Sequence, residues 1–416
     1  MIRRFLCGFV LCAAGACARP NIVYIIAVDL GVMVVAYNSE RYQTPNIYRL
    51  AREGMMFSEA YAAAANCAPS RACVFSGRTT SRHGVYTVGN SGRGNAKHRK
   101  LIPAPNTEHL ADEILTLAEA LKAGGYKTIH LGKWHLGADP TTRGFDVNVG
   151  GDTAGGPSGG YFSPFKKGSM VRYNDAYKKG TFRGDILVDE ALAFMKANKG
   201  EPLFVHMAWF AIHGKLEPVP EYIKKHRGRS DVDPVYASMV EKMDSCVGRL
   251  LKGLDRLGLA ENTLVVFSSD NGGIAARSPQ QPYRAGKGSY FEGGIRVPLA
   301  IRWPGVVAPK STCRVPVTGL DFYPTFLAAA GLPVPEGETL DGESLLPLLT
   351  KQGAFPERTL FWHFPIYLEQ YEGWKDDARD PLFRARPGTI ARKGNWKLHE
   401  YFEDGALELY DLRGDP

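Results

Sequence analysis

Cysteine is scarce in this chain, at seven among 416 residues, and Cys7, Cys12 and Cys17 are confined to its extreme N-terminus. Only Cys67, Cys73, Cys246 and Cys313 remain beyond it, which excludes a dense disulfide framework. There is no zinc-finger spacing, no RNA-recognition signature and no sustained basic helix. The net charge of +8 therefore does not argue for a nucleic-acid partner. Its one local cluster, Lys97-His98-Arg99-Lys100, reads as a solvated loop. The apolar stretch Phe5 to Ala16 is too short to span a bilayer comfortably, so no integral membrane span is expected. No internal repeat is present. The glycine-rich segment Gly150 to Gly160 lacks a following Lys-Ser or Lys-Thr and does not join a strand directly to a helix, which makes it a loop and not a phosphate cradle.

At 44% hydrophobic, the chain can bury a large core, consistent with one big domain and a smaller one. Arg3 and Arg4 precede the N-terminal apolar stretch, and Ala16-Cys17-Ala18 offers a small-residue cleavage site. Residues 1–18 thus read as an export signal for a periplasmic or secreted protein. Ala14-Gly15-Ala16-Cys17 also loosely resembles a lipoprotein box, which leaves a lipid on Cys17 as the second option. The continuous apolar run Asn21 to Ala27 suits a strand buried on both faces. Strands at Lys127 to Leu131, Leu203 to Trp209, Thr263 to Ser268 and Leu299 to Arg302 alternate with helices at Leu115 to Lys122, Asp185 to Ala197, Val235 to Leu257 and Phe322 to Ala330. That alternation argues for an α/β fold with a mostly parallel sheet sandwiched by helices. A Pro-rich stretch from Leu332 and the loop that follows suggest a boundary, with a large domain over 19–345 and a small antiparallel subdomain over 346–416. Short strands are expected there at Leu360 to Phe364, Thr389 to Ala391, Trp396 to Tyr401 and Leu407 to Tyr410.

The most informative stretch is Cys67-Ala68-Pro69-Ser70-Arg71, at the mouth of a predicted helix and continued by Ala72-Cys73-Val74-Phe75-Ser76-Gly77-Arg78. Pro69 suits a first helical turn, where its missing amide donor would be unpaired anyway. The free amides and dipole of a helix start favour an anion, and Arg71 adds a planar cationic fork suited to oxyanions. An unmodified Cys67 is expected to have its thiolate favoured there. Asp29 and the pair Asp270-Asn271 each follow a predicted strand. The crevice at the carboxyl ends of strands is where open α/β sheets bind ligands. Their oxygens suit a hard cation such as calcium, although Asn-Gly also favours a tight turn. Three further segments stand out: Gly132-Lys133-Trp134-His135-Leu136-Gly137, Ile212-His213-Gly214, and Gly286-Lys287-Gly288-Ser289 followed by Glu292 to Pro298.

Together these segments resemble the type I, formylglycine-dependent sulfatases of the arylsulfatase kind, which share an alkaline-phosphatase-like architecture. The resemblance implies a sulfuric ester hydrolase acting on sulfate monoesters, with a sulfated carbohydrate favoured. It implies that a maturation enzyme oxidises Cys67 to formylglycine (3-oxoalanine), the nucleophile. Calcium would be held by Asp29, Asp270 and Asn271 with the converted Cys67. Arg71, Lys133 and Lys287 would meet the sulfate charge, His135 would assist proton movements at residue 67, and His213 would protonate the leaving oxygen. His83 and His363 look structural or substrate-flanking. The family usually carries two consecutive aspartates after the first strand, where this chain has Val28-Asp29, and the stretch Val32 to Tyr37 also departs from the pattern. One anionic ligand is thus missing, and calcium affinity is expected to fall. The proline that usually follows the histidine at 213 is absent as well. Two alternatives stay open: a phosphate or phosphonate ester hydrolase of the same superfamily, and a degenerate copy that binds sulfated glycan with little turnover. The chain stops at Pro416, where relatives usually continue, which leaves a truncated C-terminus open.

Overall fold

The computed structural model describes residues 19–415 apart from 36, 37, 39 and 375, so the expected leader and Cys17 lie outside the described residues. An 8-stranded sheet runs in the spatial order 147–149, 127–132, 203–208, 21–27, 263–269, 299–302, 55–57, 311–313. The strand Asn21–Ala27 lies at its centre, pairing in parallel with Leu203–Ala208 on one side and Thr263–Ser269 on the other. Leu299–Arg302 runs antiparallel to both of its neighbours, so the sheet is mostly but not wholly parallel.

The continuous hydrophobicity of Asn21–Ala27 follows from covering on both faces. Val23, Ile25 and Ala27 point into a core shared with the helices Pro45–Arg52, Arg183–Ala197 and Pro234–Leu257. Ile22, Tyr24 and Ile26 point the other way, into a core with the helices Cys67–Ser76, Leu117–Ala123 and Phe322–Ala329. Leu345 and Leu349, on either side of the start of the helix Leu346–Thr350, are buried in this second core. A separate antiparallel sheet follows, in the order Leu360–Phe364, Gly388–Lys393, Trp396–Tyr401, Leu407–Asp411. Among the described residues no helix is long and apolar enough to cross a membrane.

Candidate active site

Four neighbouring parallel strands end on the same edge of the main sheet, and each delivers functional side chains just past its last residue. Lys133 and His135 follow Lys127–Gly132, His213 follows Leu203–Ala208, Asp29 follows Asn21–Ala27, and Asp270 with Asn271 follows Thr263–Ser269. Gly132 makes the first of these turns possible. It has φ +96°, and a Cβ there would lie 1.9 Å from the Ala208 carbonyl oxygen. Asp29 and His135 also adopt left-handed backbone, at φ 56° and 64°, which L-residues rarely do and which concentrates at functional sites.

The helix Cys67–Ser76 points its first residue at this edge, and every one of its side chains is buried. Cys67 Sγ lies 3.7 Å from Asp29 Oδ1. From a separate loop, the Lys287 ammonium reaches both oxygens of Asp29, at 2.7 and 2.8 Å. Asn271 donates its side-chain amide to Asp29 at 3.0 Å, and the Asp29 backbone amide donates to Asp270 Oδ1 at 3.2 Å. Arg71 donates through Nε and Nη2 to Asp270 Oδ2, both at 3.1 Å, and through Nη1 to the Lys133 carbonyl at 2.7 Å. Asp29, Cys67, Arg71, Lys133, Asp270, Asn271 and Lys287 therefore meet in one buried cluster, with His135 and His213 only partly buried.

Two polar atoms in the cluster have no hydrogen-bond partner among the described residues. Lys133 Nζ is fully buried, forms no hydrogen bond, and stands 4.0 Å from Asp270 Oδ2. A buried ammonium in that condition calls for an anion. Asn271 Oδ1 is likewise buried and unsatisfied. The ligand atoms of Asp29, Cys67 and Asp270 lie within 4.8 Å of one another. An orphaned carbonyl oxygen beside two carboxylates is a donor set that suits a hard cation, so these residues fit calcium.

The electrostatics follow from burial and charge together. Burial alone would raise the Asp29 carboxyl, but Lys287, His213 and Lys133 outweigh it and hold the group below the usual carboxylate range. Burial pulls Lys133 down. Burial, with Lys133 and Arg71, pushes His135 down to about 2. His213 falls to about 4, chiefly through burial, with Asp29 opposing and Lys133 adding to the shift. Its Nδ1 lies 2.8 Å from the Gly214 carbonyl, which can only accept, so Nδ1 carries a proton and Nε2 is the atom that titrates.

The sulfatase family model matches residues 20–332, and the model for the N-sulphoglucosamine sulphohydrolase C-terminal region matches 286–416. The chain belongs to the sulfatase family. A sulfatase of Formosa agariphila is 31% identical over an alignment covering 95% of this chain and 83% of that protein. The N-acetylgalactosamine-6-sulfatase of Mus musculus is 32% identical, covering 85% of this chain and 70% of its own. Among solved structures, Ps i-CgsB in complex with k-i-k-neocarrahexaose superposes with a TM-score of 0.77 at 30% identity, covering 95% of this chain and 87% of that one. Like the relatives named for that activity, this sulfatase is a sulfuric ester hydrolase.

One sequence expectation needs correction. Burial, with the Asp270 and Asp29 carboxylates, raises the Cys67 pKa, so an unmodified thiol there stays protonated and the helix start does not favour its thiolate. The Arg71 fork spends three of its five N–H groups on Asp270 and on the Lys133 carbonyl, so it braces the site as well as adding cationic charge to it. His83 is buried, with Nε2 3.3 Å from Cys73 Sγ and Nδ1 accepting from the Val85 amide. His363 lies in the strand Leu360–Phe364, with Nδ1 2.9 Å from Thr389 Oγ1.

The glycine-rich loop, read from sequence only as a loop, covers the two histidines. The His135 amide donates to the Asp152 carbonyl at 3.0 Å. A Cβ on Gly155 would lie 2.7 Å from the His135 ring, and one on Gly156 would lie 3.2 Å from His213 Nδ1. Arg384, from the C-terminal part of the chain, donates to the Lys287 carbonyl at 2.8 Å and was also missed. Nothing in its local sequence distinguishes it from the other arginines; only the tertiary contact does.

Proposed function

We propose that the protein is an exported sulfatase that cleaves sulfate monoesters of a sulfated carbohydrate, using residue 67 after its oxidation from cysteine to formylglycine by a maturation enzyme. The observation that carries this reading is the buried Lys133 ammonium, which has no hydrogen-bond partner and is set with Lys287 beside Asp270 and Asp29. A tetrahedral oxyanion group there would supply the missing counter-charge, and the two ammonium groups would stabilise charge on it as the ester bond breaks.

Hydrated formylglycine supplies one hydroxyl as nucleophile toward sulfur and a second whose deprotonation releases sulfate. Calcium would be held by Asp29, Asp270, Asn271 and the oxygen of residue 67, and would supply positive charge beside the sulfate. Arg71 keeps Asp270 oriented and the Lys133 backbone in place. His213, with Nδ1 fixed by Gly214, offers Nε2–H to the departing alcohol oxygen in its protonated form. His135, neutral because burial and Lys133 disfavour its charged form, is suited to accept a proton near residue 67.

The relatives' names favour sugar esters: N-acetylgalactosamine-6-sulfatase for the mouse protein, and k-i-k-neocarrahexaose in complex with Ps i-CgsB. The test is mass spectrometry of the Cys67 peptide from protein made with a competent maturation enzyme, beside assays on matched sulfate and phosphate esters. Conversion at Cys67, loss of sulfate release in Cys67→Ala and its survival in Cys73→Ala are the expected results. An unconverted Cys67, or faster phosphate than sulfate release, would refute the reading.

A further inference from the structure

A cleft of about 390 Å³ opens above the site, with Asp29 on its floor and Ile212, Tyr371 and Trp374 among its walls. Its volume is in the range of small-molecule sites. Asp29 lies against residue 67 and Lys287, so whatever enters this cleft is the alcohol part of an ester whose sulfate sits beside those groups.

Tyr371 and Trp374 belong to one turn, in which the Trp374 amide donates to the Tyr371 carbonyl at 3.0 Å. Tyr371 is not free to swing. The Arg384 guanidinium carbon lies 3.7 Å from its ring centroid, and Arg384 is itself 5% exposed. That guanidinium is fixed by Nη1 donating to the Lys287 carbonyl and Nε donating to the Glu369 carbonyl, each at 2.8 Å. One buried side chain thus ties the aromatic wall of the cleft to the backbone of a lysine that faces the reacting group. Burial raises the Tyr371 phenol, and the charges of Arg384, Lys287 and Asp29 reach it. Trp374 lies further out, 45% exposed, and also lines the next cleft along the surface.

We infer that Tyr371 is the platform on which the sulfated pyranose ring lies, held by Arg384 in fixed register with Lys287, and that Trp374 receives the adjoining sugar of an oligosaccharide. The inference rests on the proposed sulfatase reading and names its leaving-group subsites. Pyranose rings present one face of C–H bonds, which an aromatic ring covers while hydroxyls stay free at the edge. Arg384 is a positioning residue in this arrangement.

The experiment uses the full chain carrying Cys67→Ala, titrated calorimetrically with N-acetylgalactosamine 6-sulfate and with a carrageenan hexasaccharide, alone and with a second substitution. Tyr371→Ala should weaken binding of either probe about 5- to 10-fold, with Tyr371→Phe close to the parent. Trp374→Ala should weaken only the hexasaccharide. In the active enzyme, Tyr371→Ala should raise KM while Arg384→Ala, which frees Lys287, should also lower kcat. Equal affinities for the Tyr371→Ala protein and its parent overturn the inference, as does a parent that binds neither probe. Release of sulfate from any ester by the unsubstituted enzyme is measured in parallel. Its absence, with Tyr371-dependent binding intact, removes the catalytic reading and leaves the subsite standing.

Discussion

A buried ammonium is costly unless an anion answers it, and at this site three cations, Arg71, Lys133 and Lys287, face two carboxylates, Asp29 and Asp270. By resemblance, a further aspartate would stand at the fully buried Val28, and its absence would leave the imbalance uncorrected. That imbalance tilts the cluster toward binding an anion and away from binding a cation. Val28→Asp should therefore tighten calcium and, in calcium-free protein, weaken inhibition by inorganic sulfate. Calcium titration and sulfate inhibition of both forms check this, and tight calcium binding by the natural chain with no gain from aspartate would count against it. His213 gives a second residue-level prediction. In the proposed reaction its acid form is the active one, and burial holds it down to about 4 in the free enzyme. For an alkyl sulfate, kcat/KM, which reports free enzyme, should fall as pH rises above that value. A bound anionic ester raises the imidazole, so kcat should hold to higher pH. His213→Ala should cost ~100- to 10,000-fold on alkyl esters and much less on an activated aryl ester, and it should erase this pH limb. Equal losses on the two esters would exclude general-acid catalysis by His213.

At the scale of elements, five of the eight strands of the central sheet were legible, because burial leaves largely apolar runs, whereas Met55–Phe57, Val147–Val149 and Ser311–Cys313 are too short to show one. Leu299–Arg302 lies within its expected bounds, and the long helix starts only one residue early, at Pro234. The clustering of site residues was legible for a related reason: parallel strands bring their carboxyl ends to one edge, so residues just past each run must meet. Loops were not legible in the same way, because their paths depend on contacts far along the chain. The strands Leu368–Glu369 and Phe383–Ala385, which carry the Arg384 clamp, are too short to show a period. The loop over His135 and His213 showed only its glycines. Gly155 is required there by proximity, not by backbone angle, because a methyl would stand 2.7 Å from the imidazole of His135. Gly155→Ala should lower kcat at least 10-fold and leave the melting temperature within a few degrees, while Gly156→Ala, with a looser 3.2 Å approach to His213, should cost less. Steady-state kinetics and thermal unfolding on both variants check this ordering.

For the whole molecule, the C-terminal part of the chain reaches the site through Arg384, carried on the two-stranded pair Leu368–Glu369 and Phe383–Ala385, so docking of that part onto the large domain bears on activity as well as stability. One buried knot joins them. Glu292 accepts from Lys397 of the small sheet at 2.8 Å, from the Tyr61 hydroxyl at 2.7 Å and from Arg296 at 3.2 Å. Nearby, Trp362 donates its indole N–H to the Ala62 carbonyl at 2.9 Å, and Arg392 pairs with Glu59. Burial would raise the Glu292 carboxyl, but Lys397 and Arg296 outweigh it and hold it down to about 2, against 4.5 unperturbed. A carboxyl depressed on folding contributes stability that is present above its unfolded pKa and is lost as pH falls through its folded one. This contribution should therefore fade between about pH 4.5 and about pH 2. Burial of the Lys397 ammonium opposes the gain, which leaves a net contribution of roughly 1–3 kcal/mol. Glu292→Gln should cost more than that at neutral pH, about 3–5 kcal/mol, because it strands Lys397 as an unpaired buried charge. The double variant Glu292→Gln with Lys397→Met should recover most of the loss and show a flatter fall in stability below pH 4.5. Denaturant unfolding of the four proteins across that range measures the coupling, and additive losses from the two substitutions would mean that the pair does not hold the small sheet in place.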